Sequence, residues 1–303
     1  MSPTVLAGIS AFCFAGSHVA SKRGVQSTSV VAGLLISLAT MWVVLLGATI
    51  LDLPGQIGGW AILVLAVSGL VAPAIGRAAA IAGVDRLGPS ISVPIQAGVY
   101  PLVAVVGAAT ILDESITWTR FAGTVTIVLG ILLLSRRTAL ADRSAEAPTD
   151  LLGPTGGRFG RTVSRAVALP ALAGLAYGTS DLIRKQGIDL LPHPTFAALV
   201  AVSAALLAWS AASIALPSVR ERISAGRGAG WFVVGGALAA TAILVQFHAL
   251  ERGTVSLVSP IVASQPLFVF FLSTVLLRRI ERVTVPIVVG GLATVIGVVL
   301  VAT

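Results

Sequence analysis

Apolar stretches long enough to cross a membrane recur from one end of this sequence to the other. A helix needs about 20 mostly apolar residues to span a bilayer. Ten segments qualify: 4–21, 29–51, 60–82, 89–111, 116–134, 167–184, 194–216, 231–249, 255–277 and 283–302. Hydrocarbon offers no partners to open backbone groups, so these segments are expected to be helices. Barrel-length segments of alternating character are absent, which argues against an outer-membrane barrel. The composition agrees, with 56% hydrophobic residues, 11% charged residues and a mean hydropathy of +0.99. A soluble domain would carry about 25% charged residues.

The formal net charge is +8. The basic residues sit mostly between the apolar segments, where they orient a membrane protein, so the expected partner is the lipid bilayer and not nucleic acid. Cys13 is the only cysteine. That excludes an intrachain disulfide and a cysteine-built metal site, and neither a cofactor nor a metal is expected. No positive residue precedes the first apolar segment, so no secretory signal is expected there.

Most connections between segments are short. The exception, roughly 135–166, is rich in Pro, Gly and charge, and includes Arg136, Arg137, Arg143, Arg158, Arg161 and Arg165. It reads as a solvated linker. The expected organisation is a five-helix unit at 1–135, an Arg-rich linker at 136–165 and a second five-helix unit at 166–303.

The two units repeat each other. Phe14-Ala15-Gly16-Ser17-His18-Val19-Ala20-Ser21-Lys22-Arg23-Gly24-Val25 parallels Tyr177-Gly178-Thr179-Ser180-Asp181-Leu182-Ile183-Arg184-Lys185-Gln186-Gly187-Ile188. Trp42 matches Trp209, Trp60 matches Trp231, and Asp85-Arg86 matches Glu251-Arg252. Val93-Pro94-Ile95 and Tyr100-Pro101-Leu102 match Ser259-Pro260-Ile261 and Gln265-Pro266-Leu267. Gly123 and Gly130 match Gly290 and Gly297. The fixed order of these matches indicates duplication. Five helices is an odd number, so each half enters the membrane from the opposite side. That is an inverted-topology repeat, a recurrent plan for secondary transporters.

The Pro94/Tyr100-Pro101-Leu102 helix, the Asp113-Glu114-Ser115-Ile116-Thr117 turn, the glycine-bearing helix after it and their second-half counterparts resemble the EamA-type carriers of the drug/metabolite transporter superfamily. The resemblance covers nearly the whole chain. It implies an all-α membrane protein of ten helices, in which the first four of each half surround a cavity and the fifth and tenth pack at the periphery. It also implies substrates among amino acids, other metabolites and drugs. Arg278-Arg279-Ile280-Glu281 departs from the first-half pattern Leu112-Asp113-Glu114.

Glycines seven residues apart lie on nearly one helical face and let helices approach closely in lipid. The Gly123/Gly130 face is therefore expected to meet the Gly290/Gly297 face. Prolines inside the fourth and ninth helices remove backbone hydrogen bonds; they read either as packing kinks or as cavity-lining breaks.

Ionisable residues within spans favour functional readings. Arg77 is a candidate for attracting an anionic group such as a carboxylate; snorkelling or pairing with an internal acid is the alternative. His18 and Asp181 occupy equivalent repeat positions. Inversion places them at opposite depths, so direct contact is not expected; each reads as a proton-coupling or substrate group, or as a structural polar contact. Trp42 and Trp209 are mid-span and are candidates to flank the cavity. Gln96, Tyr100, Gln246, His248 and Gln265 are polar groups available to it.

Loops after the odd-numbered helices carry 15 Lys/Arg; the other side has Arg120, Arg184, Lys185 and Arg252. The positive-inside rule then puts both termini outside. The localisation expected is a bacterial inner (plasma) membrane. The leading function is a small-solute carrier working by alternating access, with proton-coupled efflux as one form. A flippase for a lipid or lipid-linked sugar, or a non-transporting scaffold, is the alternative. No HExxH or GxSxG motif supports an enzyme. Oligomeric state is not legible.

Overall fold

The structure is a computed structural model that describes residues 1–55, 58–145, 156–276 and 285–303. Among these residues the regular structure is helical, with no strand. The helices are α1 (Pro3–Gly24), α2 (Val30–Ile50), α3 (Gly59–Leu87), α4 (Pro89–Ile111), α5 (Trp118–Ala145) and α6 (Gly156–Leu190) in the first part of the chain. They are followed by α7 (Pro194–Ala215), α8 (Ala229–Arg252), α9 (Val255–Val262), α10 (Gln265–Leu276) and α11 (Val285–Ala302). One further turn of helix lies at Pro217–Arg220.

Local chemistry sets many of the ends. Ser2 accepts a hydrogen bond from the Val5 amide and Pro3 opens α1, as N-caps and N1 prolines do. Ser29 caps α2 through the Ala32 amide at 3.3 Å. Gly88 has a φ of 74°, a turn that L side chains resist, and it lets Pro89 start α4 immediately after α3 ends.

Seven of the described helical segments are long and apolar enough to cross a membrane: Pro3–Gly24, Val30–Ile50, Gly59–Leu87, Ile91–Ile111, Pro194–Ala215, Ala229–Arg252 and Val255–Leu272. Trp118–Ile131 and Leu292–Ala302 are shorter apolar helices. Large apolar side chains such as Val43, Leu207, Ile214 and Phe271 point outward. Water would not tolerate that surface, but lipid does.

The packing repeats between halves. α1 lies along α8, and α6 lies along α3, so each half's first helix packs on the other half's third. Ser17 donates to the Gly235 carbonyl at 2.7 Å and Ser180 to the Ser68 carbonyl at 2.9 Å, one bond at each of these interfaces. α8 also lies against α2, and α3 against α7. A Cβ on Gly236 would meet the Ser37 carbonyl at 2.8 Å, and one on Gly69 the Ala201 carbonyl at 1.9 Å.

α5 and α11 pair closely. A Cβ on Gly123 would fall 2.8 Å from the Gly297 carbonyl, and one on Gly130 2.8 Å from the Gly290 carbonyl. The two glycine faces therefore touch backbone to backbone. Glu114 anchors the start of this arm to the other half: its carboxylate accepts from the amides of Val255 (2.8 Å) and Ser256 (2.9 Å) at the N-terminus of α9. Asp113, at φ 51°, turns the chain to aim it there.

Two sequence expectations change. Within the linker range α5 continues to Ala145 and α6 begins at Gly156. Residues 146–155 lie outside the described residues, as does the Arg278–Glu281 turn. The ninth segment is not one helix. It breaks at Ala263 and Ser264, just before Pro266, whose ring and missing N–H disrupt the turn that Val262 would continue. The third segment is helical but not uniformly α, because Leu70–Gly76 around Pro73 is wound as a π-helix. Such widened turns often occur at functional sites.

Candidate substrate cavity

Midway along the bundle, α1, α2, α3, α4, α6, α8, α9 and α10 enclose a cavity. Equivalent positions of the two halves meet there. Phe14 and Tyr177 both line it, and so do Tyr100 and Gln265, each the residue before a proline. Gly174 and Gly178 let α6 reach α4 at this level: added Cβ atoms would meet the Gln96 carbonyl at 2.6 Å and the Tyr100 carbonyl at 2.8 Å.

At one end of the cavity stands a buried polar cluster centred on Asp181, which is 0% exposed. The Tyr100 hydroxyl donates to Asp181 Oδ2, and the Ser259 hydroxyl donates to the same oxygen at 2.6 Å. Gln246 Nε2 donates to both carboxylate oxygens at 3.1 Å and to the Tyr100 oxygen at 2.9 Å. Arg184 donates to Asp181 Oδ1 at 3.0 Å and to Gln246 Oε1 at 3.3 Å. Residues of α4, α6, α8 and α9 are thus tied through one carboxylate. Asp181 itself lies behind the cavity wall, while Tyr100, Arg184 and Gln246 face the cavity.

Arg77 stands apart from this cluster, in the turn after the π segment. Its guanidinium donates to Ser17 Oγ at 3.2 Å and to Ser37 Oγ. No carboxylate pairs with it among the described residues. Gln96 is buried with both side-chain polar atoms unpartnered, and the Gln265 carbonyl oxygen is unpartnered too. His18 lies beside Gln265 on the same wall.

The structure sorts the sequence candidates. His18, Arg77, Gln96, Tyr100, Gln246 and Gln265 are brought together at the cavity. His18 and Asp181 share no hydrogen bond among the described residues; each instead sits with the residue that precedes the second proline of the other half's proline-bearing helix, Gln265 and Tyr100 respectively. Trp42 and Trp209 do not line the cavity. The Trp42 indole donates to Ser203 Oγ at 3.1 Å, and Trp209 donates to the Ala74 carbonyl at 3.2 Å. That carbonyl belongs to the π segment, so Trp209 helps hold the widened turn. His248 lies beside Glu251, away from the cavity. Arg184 is the main residue that sequence reasoning missed. It was counted as a loop charge, yet it is 3% exposed within α6. Its spacing of three residues from Asp181 was the available signal, since i,i+3 side chains share a helix face.

A helical bundle in which two repeated halves share a cavity lined by apolar and a few polar side chains, with further apolar side chains facing outward, has the architecture of a multi-pass membrane transporter. The chain belongs to the EamA-like transporter family, which it matches over residues 1–136 and 164–303. A crystal structure 14% identical to this chain superposes with a TM-score of 0.72, covering 99% of this chain and 98% of the other; at that identity it shows the fold alone. No curated protein matches the sequence.

Proposed function

We propose that this chain is a secondary carrier that crosses the membrane ten times and moves a small organic solute by alternating access. The observation that carries the reading is the mid-bundle cavity built from matching positions of both halves. Halves of five helices have opposite orientations, so exchanging their conformations turns a cavity open to one side into one open to the other. The interlocked pairs α1 with α8 and α6 with α3 would move as bodies, with the Asp181 cluster making and breaking contacts between them. Tyr100 and Ser259 reach Asp181 from α4 and α9, and their proline-bearing helices are suited to small hinge motions. Proton coupling through His18 or Asp181 belongs to the same proposal.

The charge distribution supports external termini. With Arg184 assigned to the cavity, the sparse side keeps Arg120, Lys185 and Arg252 against the same 15 basic residues. The membrane proposed is a bacterial inner membrane. Purified protein in proteoliposomes tests the reading. Saturable flux with counterflow of one solute class is the expected outcome. Flux that neither saturates nor shows counterflow would count against alternating access.

A further inference from the structure

The carrier reading gives the cavity a purpose, and on that reading we infer its substrate class: an organic monoanion, in which a carboxylate is joined to a compact apolar body. Arg77 decides the charge. It is 6% exposed, faces the cavity and, among the described residues, has only the hydroxyls of Ser17 and Ser37 as hydrogen-bond partners. The two hydroxyls take hydrogen bonds from Nη2, leave Nε without a partner, and do not compensate the charge; a buried unpaired ion is strongly unfavourable. A carboxylate entering the cavity supplies the missing countercharge to the guanidinium.

The second cation of the wall does not ask for another anion. Arg184 already faces Asp181, and that carboxylate is saturated by Tyr100, Ser259, Gln246 and Arg184 together. The pair is neutral as a unit. Among the described lining residues one uncompensated guanidinium therefore remains, which suits one negative group. Asp181 also lies behind the wall, so a substrate ammonium meets no available carboxylate among the described lining residues. It would find amide oxygens, the hydroxyls of Tyr100 and Tyr177 and the His18 imidazole, with two guanidinium groups nearby. That arrangement selects against amines and weakens binding of zwitterions.

The rest of the lining describes the body of the ligand. Phe14, Met41, Pro73 and Val262 are apolar, and Tyr177 adds an aromatic face. Two buried amides break this surface. Both polar atoms of Gln96 and the carbonyl oxygen of Gln265 lack protein partners, although these residues are 1% and 3% exposed. Buried amides are normally paired, so these are placed to hydrogen-bond a ligand or its waters. The Gln96 amide can donate to the ligand, and the carbonyl oxygens of Gln96 and Gln265 can accept from a hydroxyl or amide on it.

The test uses four probes of nearly the same size and different charge: phenylacetate, phenylalanine, phenylacetamide and phenethylamine. Binding to the full chain in detergent is read at neutral pH by ligand-induced thermal stabilisation. Phenylacetate should bind at least about tenfold more tightly than the amide or the amine, with phenylalanine between them. Arg77→Gln should remove this preference and Arg77→Lys should keep its order at lower affinity, whereas Arg222→Gln, on an exposed loop, should leave it unchanged. Equal binding of phenylacetamide or phenethylamine overturns the inference. So does the absence of phenylacetate binding, or phenylacetate binding that is unchanged in Arg77→Gln. The probe series on the unmodified chain decides the matter even if a variant fails to fold. Counterflow in proteoliposomes separates the two readings. Selective phenylacetate binding without counterflow leaves the site standing and removes the carrier, whereas saturable counterflow of an amine with no carboxylate preference leaves the carrier and removes the monoanion.

Discussion

At the scale of single residues, the Asp181–Arg184 pair has the clearest energetic consequence. Both side chains are buried and each is held by further hydrogen bonds. Removing one partner leaves the other charge uncompensated in a low-dielectric interior. Asp181→Asn is therefore expected to destabilise the protein by about 3–5 kcal/mol, and Arg184→Gln by a similar amount. The double variant should recover part of the loss, because no lone charge remains. A double-mutant cycle on thermal denaturation in detergent checks this; additive losses would show that the two do not act as a pair. Tyr100→Phe removes one donor to a carboxylate that keeps three others and is expected to lose only about 1–3 kcal/mol. Asp181 and Arg77 were legible in the sequence because charge inside an apolar span stands out. Arg184 was not: it adjoins Lys185 at a span end, and hydropathy ends a span where charges cluster, whatever their side chains touch.

At the scale of elements, the glycine seam between α5 and α11 and the cap on α9 give opposed cases. Gly130→Leu would drive a side chain into the Gly290 carbonyl and the Thr294 amide, 2.8 and 2.7 Å from the position of its Cβ. Backbone cannot yield as a side-chain tip can, so misassembly or loss of yield is expected in size-exclusion profiles. Gly47→Ala meets nothing within 4 Å and should be neutral or stabilise α2 by up to about 1 kcal/mol. Glu114→Ala removes the acceptor of two amides at the start of α9. The expected loss is about 0.5–2 kcal/mol on the same denaturation assay, and Glu114→Gln should lose less because its amide oxygen still accepts. The seven-residue glycine spacing marked a contact face in the sequence directly. The π-wound segment of α3 and the break between α9 and α10 were less accessible. Pro73 and Pro266 flag a lost hydrogen bond, but whether the helix widens, bends or stops depends on its neighbours. Here Trp209 from α7 takes up the Ala74 carbonyl.

At the scale of the whole molecule, the repeat fixes the packing partners, since each first helix pairs with the third helix of the other half. Orientation in the membrane follows from charge outside the bundle. A reporter fused after Thr303 is expected to be active outside the cytoplasm, and fusions within the loop between α7 and α8, which holds Arg220, Arg222 and Arg227, inside it. Activity of the Thr303 fusion only in the cytoplasm would reverse the topology without changing the fold.

Hydropathy alone determined that this chain is a helical membrane protein, because a bilayer core admits no unpaired backbone and few charges. Internal similarity alone determined that it is built twice, because positions at fixed order report a common ancestor segment by segment. Which groups surround the buried charges was decided only by tertiary structure. Asp181 and Arg184 lie three residues apart on one helix, a local pairing. Tyr100, Gln246 and Ser259 reach Asp181 from three other helices, and Arg77 meets the hydroxyls of Ser17 and Ser37 and no carboxylate among the described residues. Those partners depend on how packed helices are placed against one another, which no single segment carries by itself.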